Sequence, residues 1–406
     1  MSVMTTATTT ASPTSLTADQ LAIVETTLDF AQEHIAPHAV AWDQDKHFPV
    51  DVLRKAAALG LGGIYVREEH GGSALSRADG VLVLEALATA CPSIAGYLSI
   101  HNMVAWMIDR YGDDAQRARR LPGLCSMADL GSYCLTEPGA GSDAAALRTR
   151  AVRDGDAYVL TGVKQFISGA GASKVYVVMA RTGGEGPGGI SAFVVERDDP
   201  GLSFGADEKK MGWNAQPTRQ VILDGVRIPA DRRLGAEGDG FRIAMSGLNG
   251  GRLGIAACSL GGGQSALHAA QVYLADREAF GGRLLDAQAL QFRLADMATE
   301  LAAARALVRQ AAEALDRGDP QAPQLCAMAK RFATDTGYTV ADRALQLHGG
   351  YGYLSEYGME KIVRDLRVHQ ILEGTNEIMR LIVARGLTGA GTGGGTRPGA
   401  GPGAAR

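Results

Sequence analysis

The chain has 406 residues, of which 46% are hydrophobic and 21% charged, and its net charge is -4. That length allows two or three domains with a large core, and so even a charge balance offers no basic face to nucleic acid. No apolar run reaches the ~18 residues of a membrane span. The five cysteines, Cys91, Cys125, Cys134, Cys258 and Cys326, are scattered and form no C-x-x-C pair. This argues against a disulfide framework or a zinc site and fits a reducing compartment. Residues 1–17 contain no Arg or Lys. They match neither a secretory signal nor a mitochondrial presequence, so a flexible tail and a cytoplasmic protein are expected.

Residues 18–130 read as helical. Thr17 and Gln20 form a capping box ahead of residues 21–34. Pro49 suits a helix start and Gly60 a helix stop. Residues 78–90 and 94–111 continue the helical pattern. The character changes near Gly131, and residues 131–238 carry short β-rich runs. Asp154-Gly155-Asp156 between residues 151–153 and 158–161 is a hairpin signal. Residues 174–181, 190–196 and 219–229 are further strands, with a Gly/Pro turn over 182–189. Strands without intervening helices predict an antiparallel sheet or barrel and disfavour a doubly wound parallel sheet. Residues 239–388 return to helix, with apolar residues at three- and four-residue steps over 284–315. Residues 389–406 are Gly-rich and are expected to be disordered.

Several familiar patterns fail on context. Gly389, Gly391 and Gly394 make a G-x-G-x-x-G with no strand before it. Gly139, Gly141 and Ala144 make a G-x-G-x-x-A outside any βαβ unit and just after Pro138. No P-loop sequence occurs. The G-x-S-x-G at residues 201–205 follows Asp198-Asp199-Pro200 and leads toward another strand, so it is no nucleophile elbow. His34 and His38 are four apart, but Pro37 disrupts that turn and no third ligand is evident. No metal is expected.

Three segments carry chemistry. Tyr133-Cys134-Leu135-Thr136-Glu137-Pro138-Gly139-Ala140-Gly141-Ser142-Asp143 offers hydroxyls and free backbone N–H groups beside small residues, which suits close approach of a ring or a phosphate. A polar domain junction would read the same way. Gln346-Leu347-His348-Gly349-Gly350 opens the backbone to a ligand, or simply ends a helix. Glu373, after Ile371-Leu372 and before Gly374, is a carboxylate that burial could raise into the range of a general base. Alternatively it is a helix-start acid beside a Thr375 or Asn376 cap.

In this order the sequences Y-C-L-T-E-P-G-A-G-S-D, Q-L-H-G-G-Y-G-Y and I-L-E-G-T-N-E resemble the acyl-CoA dehydrogenase family, and the likeness runs from about residue 21 to residue 387. The resemblance implies an N-terminal helical domain, a middle β-barrel and a C-terminal four-helix bundle, assembled as a homotetramer with FAD near subunit interfaces. It implies that Tyr133, Cys134, Leu135, Thr136, Glu137, Pro138, Gly139, Ala140, Gly141 and Ser142 line the flavin, with Ser142 also touching acyl-CoA. Phe166, Ile167 and Ser168 would cover the other side of the ring. Many relatives have Trp and Thr where this chain has Phe166 and Ser168, and Ser168 keeps a hydroxyl for flavin N5. Arg277, Ala287, Gln288, Gln346, Leu347, His348, Gly349, Gly350, Thr375, Asn376 and Glu377 would contact FAD. Many relatives are aromatic where this chain has Ala287. Asn249, Gly250, Gly251, Arg252 and Arg385 would contact the substrate.

By the same resemblance, Glu373 takes a proton from carbon 2 of an acyl thioester while hydride leaves carbon 3 for FAD. The electrons then pass to an electron-transferring flavoprotein. The stretches F-I-S-G-A-G, G-W-N-A-Q-P-T-R, G-L-N-G-G-R and R-V-H-Q-I-L-E-G-T-N-E are most similar to the branch of the family that oxidises isobutyryl-CoA to methacrylyl-CoA in valine degradation. 2-Methylbutyryl-CoA and short straight-chain substrates stay open. An acyl-CoA oxidase is a rival that the chain length disfavours, and a non-catalytic CoA-binding relative is one that Glu373 disfavours.

Overall fold

The computed structural model describes residues 16–388. Residues 1–15 and 389–406, which hold most of one expected tail and all of the other, lie outside that range. Six helices come first: α1 (Ala18–His34), α2 (Ala39–Asp45), α3 (Val50–Ala58), α4 (Arg77–Ala88), α5 (Pro92–Tyr111) and α6 (Asp114–Cys125). Their ends follow local chemistry. Thr17 and Gln20 cap α1 reciprocally, and Ser76 and Asp79 do the same for α4. Pro92 stands in the first turn of α5, where its missing N–H costs nothing. Gly60 follows α3 at φ 80°, a left-handed stop. The short α2 and α6 were not expected from the sequence.

Eight strands follow: β1 (Gly131–Cys134), β2 (Arg150–Asp154), β3 (Ala157–Ser168), β4 (Val175–Arg181), β5 (Ile190–Glu196), β6 (Leu202–Phe204), β7 (Thr218–Pro229) and β8 (Arg233–Leu234). The Asp154-Gly155-Asp156 hairpin is present, with Asp154 opposite Ala157. The strands form one sheet in the order β6-β7-β3-β2-β4-β5-β8, with β1 added parallel to β4. The expected barrel is not closed. The two ends of the sheet, β6 and β8, are three and two residues long and do not pair with each other. The sheet is also not wholly antiparallel, since β4 runs parallel to β1 and meets β2 in parallel at one position. One face packs Val175, Val177 and Met179 against Val104, Met107 and Ile243 of the helices, and the other encloses Tyr158, Val178, Phe193 and Val226. Residues 201–205 hold β6 and no following helix, so Ser203 is not on an elbow.

The remaining helices are α7 (Gly240–Asp276), α8 (Gln288–Asp316), α9 (Ala322–Leu347), α10 (Met359–Arg367) and α11 (Asn376–Thr388). A two-residue β9 (Glu278–Ala279) and β10 (Gly282–Arg283) form a hairpin between α7 and α8. Helices α7, α8 and α9 pack on one another, and α11 packs on α9. Three long helices and the shorter α10 and α11 make up this part. Close approach to α7 depends on glycine: a Cβ at Gly261 would stand 2.2 Å from the Glu85 carbonyl of α4. No helix among the described residues is long and apolar enough to cross a membrane.

Candidate active site

Where β1, the end of β3, α7 and the start of α11 converge there is a cavity of about 690 Å³. Its walls are largely apolar, with Met103, Met245, Leu248, Ile378 and Ile382 among them. That composition is usual for an organic-ligand site with few polar groups.

Glu373 is one of its few ionisable residues, with Asp143, Arg252 and Arg385. Both of the Glu373 carboxylate oxygens are buried and without a hydrogen-bond partner among the described residues. Burial pushes this carboxyl from 4.5 up to about 7, against the opposing charges of Arg252 and Lys330. Its backbone stands at φ 55°, and Gly374 follows at φ 94°. A helix-start acid would be exposed at the first turn. Here Thr375 caps α11, its Oγ1 accepting from Ile378 N at 3.4 Å, and Glu377 is the exposed acid of that turn. The helix-start reading of Glu373 therefore fails.

The space for the carboxylate comes from Gly251. A Cβ there would lie 2.3 Å from Glu373 Oε2. The next residue, Arg252, donates Nε–H to the Glu373 carbonyl at 3.4 Å and Nη1–H to Asn249 Oδ1 at 2.8 Å. The Tyr133 hydroxyl lines the same cavity, buried and unpartnered, and burial followed by the Glu373 charge pushes its pKa far up.

Four residues before the carboxylate, His369 is fully buried. Trp213 Nε1–H donates to its Nε2 at 3.1 Å. Its Nδ1 lies 2.7 Å from Ser259 Oγ, whose own hydroxyl proton goes to the Ile255 carbonyl at 2.8 Å. These contacts assign the proton to Nδ1. Burial, followed by the Lys330 charge, holds the imidazole down at about 3 and hence neutral.

Of the residues singled out in the sequence, Tyr133, Leu135, Thr136, Gly141, Ser142, Phe166, Ile167, Ser168, Arg252, Glu373 and Arg385 all line the cavity. Phe166 reaches it through an irregularity in the β3–β7 register, at φ 59° and 64% exposed. Others stand behind the wall. Cys134 is buried within the sheet's own core. Glu137 is held by Lys164, and Pro138 and Gly139 lie in a turn that Glu137 and Ala140 close with two 3.1 Å backbone bonds. Asn249 serves Arg252, and Gly250 lies against Arg77, whose Nη1 would be 2.4 Å from an added Cβ. Asn376 is buried on the side of α9.

A second group stays away from the cavity. His348 stacks on Tyr273 at 4.7 Å, and the Arg277 guanidinium lies 5.7 Å from the Tyr351 ring. Leu347 is buried beside them, while Ala287, Gln288, Gln346, Gly349 and Gly350 are exposed. Sequence reasoning missed Lys330, His369 and the apolar wall from α5, α7 and α11. A lysine among buried positions of α9 was the one available signal for the first.

The chain matches family models along nearly its whole length: "Acyl-CoA dehydrogenase, N-terminal domain" over residues 17–128, "middle domain" over 132–226 and "C-terminal domain" over 238–388. It is 54% identical over 372 residues to the mitochondrial isobutyryl-CoA dehydrogenase of Bos taurus, covering 92% of this chain and 89% of that one. It is 55% identical over 374 residues to the mitochondrial isobutyryl-CoA dehydrogenase of Dictyostelium discoideum, covering 92% and 90%. These two relatives are mitochondrial, in contrast to the cytoplasmic expectation for this chain. The butyryl-CoA dehydrogenase of Megasphaera elsdenii superposes with a TM-score of 0.89 at 37% identity, over 92% of this chain and 99% of that one. A glutaryl-CoA dehydrogenase of Mycobacterium smegmatis in complex with FADH2 superposes at 0.87 with 28% identity, over 92% and 95%.

Proposed function

The chain belongs to the acyl-CoA dehydrogenase family, and from that premise we propose that it oxidises isobutyryl-CoA to methacrylyl-CoA with Glu373 as the base. The enzyme is an FAD-dependent acyl-CoA dehydrogenase. The observation that carries the residue assignment is a carboxylate with both oxygens buried and unpartnered at the end of an apolar cavity. The 54–55% identity to isobutyryl-CoA dehydrogenases supports the acyl group.

The residues present fit the cofactor. Thr136 and Ser168 bring hydroxyls to the cavity wall, and Phe166 brings an exposed aromatic face. A Cβ at Gly139, Gly141, Gly349 or Gly350 would meet nothing within 4 Å, so those backbones stay open to close approach. Tyr133, Leu135, Thr136, Gly141, Ser142, Phe166, Ile167 and Ser168 would hold the flavin, which supplies the hydride acceptor. The second group, around Arg277, Gln346 and Gly350, would serve a cofactor shared with another copy. Exposed Phe280, Phe292 and Tyr353 support a homotetramer as the assembly. Within it we read α7, α8, α9 and α11 as the family's four-helix bundle. An electron-transferring flavoprotein is the assigned electron acceptor.

The chain's own part in the chemistry is proton transfer and positioning. A thioester carbonyl acidifies the hydrogen on carbon 2, and the Glu373 carboxylate takes it. With its pKa near 7, the group is basic enough to accept the proton and about half of it is ionised at neutral pH. The apolar side chains around it exclude water, which strengthens each interaction the carboxylate makes. Gly251 leaves room for the carboxylate, and the Arg252 guanidinium holds the Glu373 backbone through its carbonyl.

The substrate assignment is tested by kcat/KM over a panel of acyl-CoA thioesters with electron-transferring flavoprotein as acceptor. Isobutyryl-CoA should exceed octanoyl-CoA. Each methylene contributes only ~1–3 kcal/mol of discrimination in an apolar pocket, so neighbours such as 2-methylbutyryl-CoA should retain partial activity. A higher value on octanoyl-CoA would overturn the branched-chain assignment and leave the family standing.

A further inference from the structure

Two consecutive residues at the base, Glu373 and Gly374, have left-handed backbone, φ 55° and 94°. For glycine that conformation carries no penalty, but for glutamate it is unfavourable and persists only where the surroundings enforce it. Two buried side chains are bonded to this turn, Arg252 at the Glu373 carbonyl and Lys330 one residue beyond it. Lys330 of α9 has no solvent exposure. Its ammonium donates to the Gly374 carbonyl at 2.8 Å and to Asn376 Oδ1 at 2.9 Å. Asn376, the first residue of α11, in turn donates Nδ2–H to Asp335 Oδ1 at 2.7 Å and Thr334 Oγ1 at 3.0 Å. Helix α9 thus grips the chain on the far side of the base, one residue beyond it and three residues beyond it.

We propose that Lys330 is a positioning residue for Glu373, a buried cation that clamps the left-handed turn through the Gly374 carbonyl and the Asn376 side chain. The inference rests on the reading of Glu373 as the base.

The surroundings make Lys330 the adjustable charge. From α7 come Arg252 and Cys258, from β1 Tyr133, from α9 Cys326 and Asp335, from α11 Glu377, and from the preceding turn His369. Burial pushes Tyr133, Cys258 and Cys326 up and His369 down, so all four are neutral at working pH. Arg252 stays charged throughout. Burial draws the Lys330 ammonium down to about 8, with Glu373 the leading opposing influence. Of the two cations that act on Glu373, Lys330 is therefore the one whose charge changes near neutrality. The lysine and the carboxylate titrate as a pair.

Removing the charge should raise the ionisation midpoint of Glu373. The test uses full-length holoenzyme with Lys330→Met. One readout is the pH profile of kcat/KM on isobutyryl-CoA. The other is isotope-edited infrared titration of the Glu373 carboxyl, identified by its loss in Glu373→Gln. Both midpoints should rise by about one pH unit, the low end of what an adjacent opposite charge contributes. That is about a tenfold lower kcat/KM on the acid side. Lys330→Gln keeps a donor for the Gly374 carbonyl without the charge, so it should raise the infrared midpoint equally while losing less of kcat. It also serves if Lys330→Met does not fold. Lys330→Arg should restore the wild-type midpoint. An unchanged infrared midpoint in Lys330→Gln would overturn the electrostatic role, and unchanged kcat in Lys330→Met the clamp. Undiminished substrate oxidation by Glu373→Gln would instead remove the reading of Glu373 as base, without bearing on the infrared result.

Discussion

Two glutamates beside the cavity come from two conspicuous sequence segments, and their surroundings send them in opposite directions. Glu137 accepts from Lys164 Nζ at 2.8 Å, Arg148 N at 2.6 Å and Thr149 N at 2.9 Å. Burial alone would raise its pKa, but the Lys164 charge and these donors bring it below the usual carboxylate value. Lys164 is itself fully buried and also donates to the Leu135 carbonyl at 3.1 Å. Glu373 has burial without donors on its oxygens. Dryness is common to both, so the number of donors separates them. A saturated carboxylate is a structural pin, and an unsaturated one is available for chemistry.

Removing the base gives the largest expected effect. Glu373→Gln keeps the size of the side chain and should retain FAD and acyl-CoA binding. It cannot accept the proton from carbon 2, so flavin reduction in anaerobic stopped flow should slow by at least the ~10²–10⁴-fold of a general base. Near-normal flavin bleaching would erase the contrast between the two glutamates. Lys164→Met attacks the other side. It strands Glu137 as a buried charge, and urea unfolding should show a loss of about 3–5 kcal/mol. A loss below about 1 kcal/mol, the range of exposed pairs, would mean that Glu137 is no pin. Gly251→Ala puts a methyl where the Glu373 carboxylate sits. Displacing a reacting group by about 1 Å can cost ~10²-fold, so kcat should fall by that order with the fold retained.

The smallest effect concerns pH. The folded-state pKa of Glu373 is raised, from 4.5 to about 7. Between those values the folded chain keeps a proton that the unfolded chain has released, so this group lowers stability as pH rises through the window. At pH 8, Glu373→Gln should therefore be more stable than the parent by about 3 kcal/mol. At pH 4 the two should coincide. Activity has the opposite slope, because the base must be ionised, and kcat/KM should climb with pH through about 7. A flat profile across pH 6–8 would place the proton acceptor elsewhere.

Much of the framework was legible because it is encoded locally. Thr17 with Gln20, Pro49 with Gly60, and Asp154-Gly155-Asp156 each fix an element end through their own backbone chemistry. What stayed hidden depends on distant partners. β1, only Gly131–Cys134, has Tyr133 as its single strong strand former and is a strand because β4 runs beside it some forty residues later. Pro122 obscured α6. Closure of the sheet is decided by the length and register of β6 and β8, on which local propensity is silent. In the site, the motif residues of the cavity wall were visible as unusual sequence. Glu373 needed the structure to separate a base from a helix-start acid, and Lys330 gained meaning only once α9 lay against the Gly374 carbonyl.

The bond from Trp213 to His369 joins the loop before β7 to the segment that carries the base. A second bond runs alongside it, with Trp213 N donating to Asp365 Oδ1 at 2.6 Å in the buried interior. Swinging the sheet away from the helices would leave an imidazole nitrogen and a carboxylate oxygen without those donors, at ~1–3 kcal/mol each or more. Hinge opening between the two is thereby made expensive. Passage into the cavity is left to its lining side chains, among which Phe166 is exposed. Tied by these two bonds, the sheet and the segment that carries the base should move as one body.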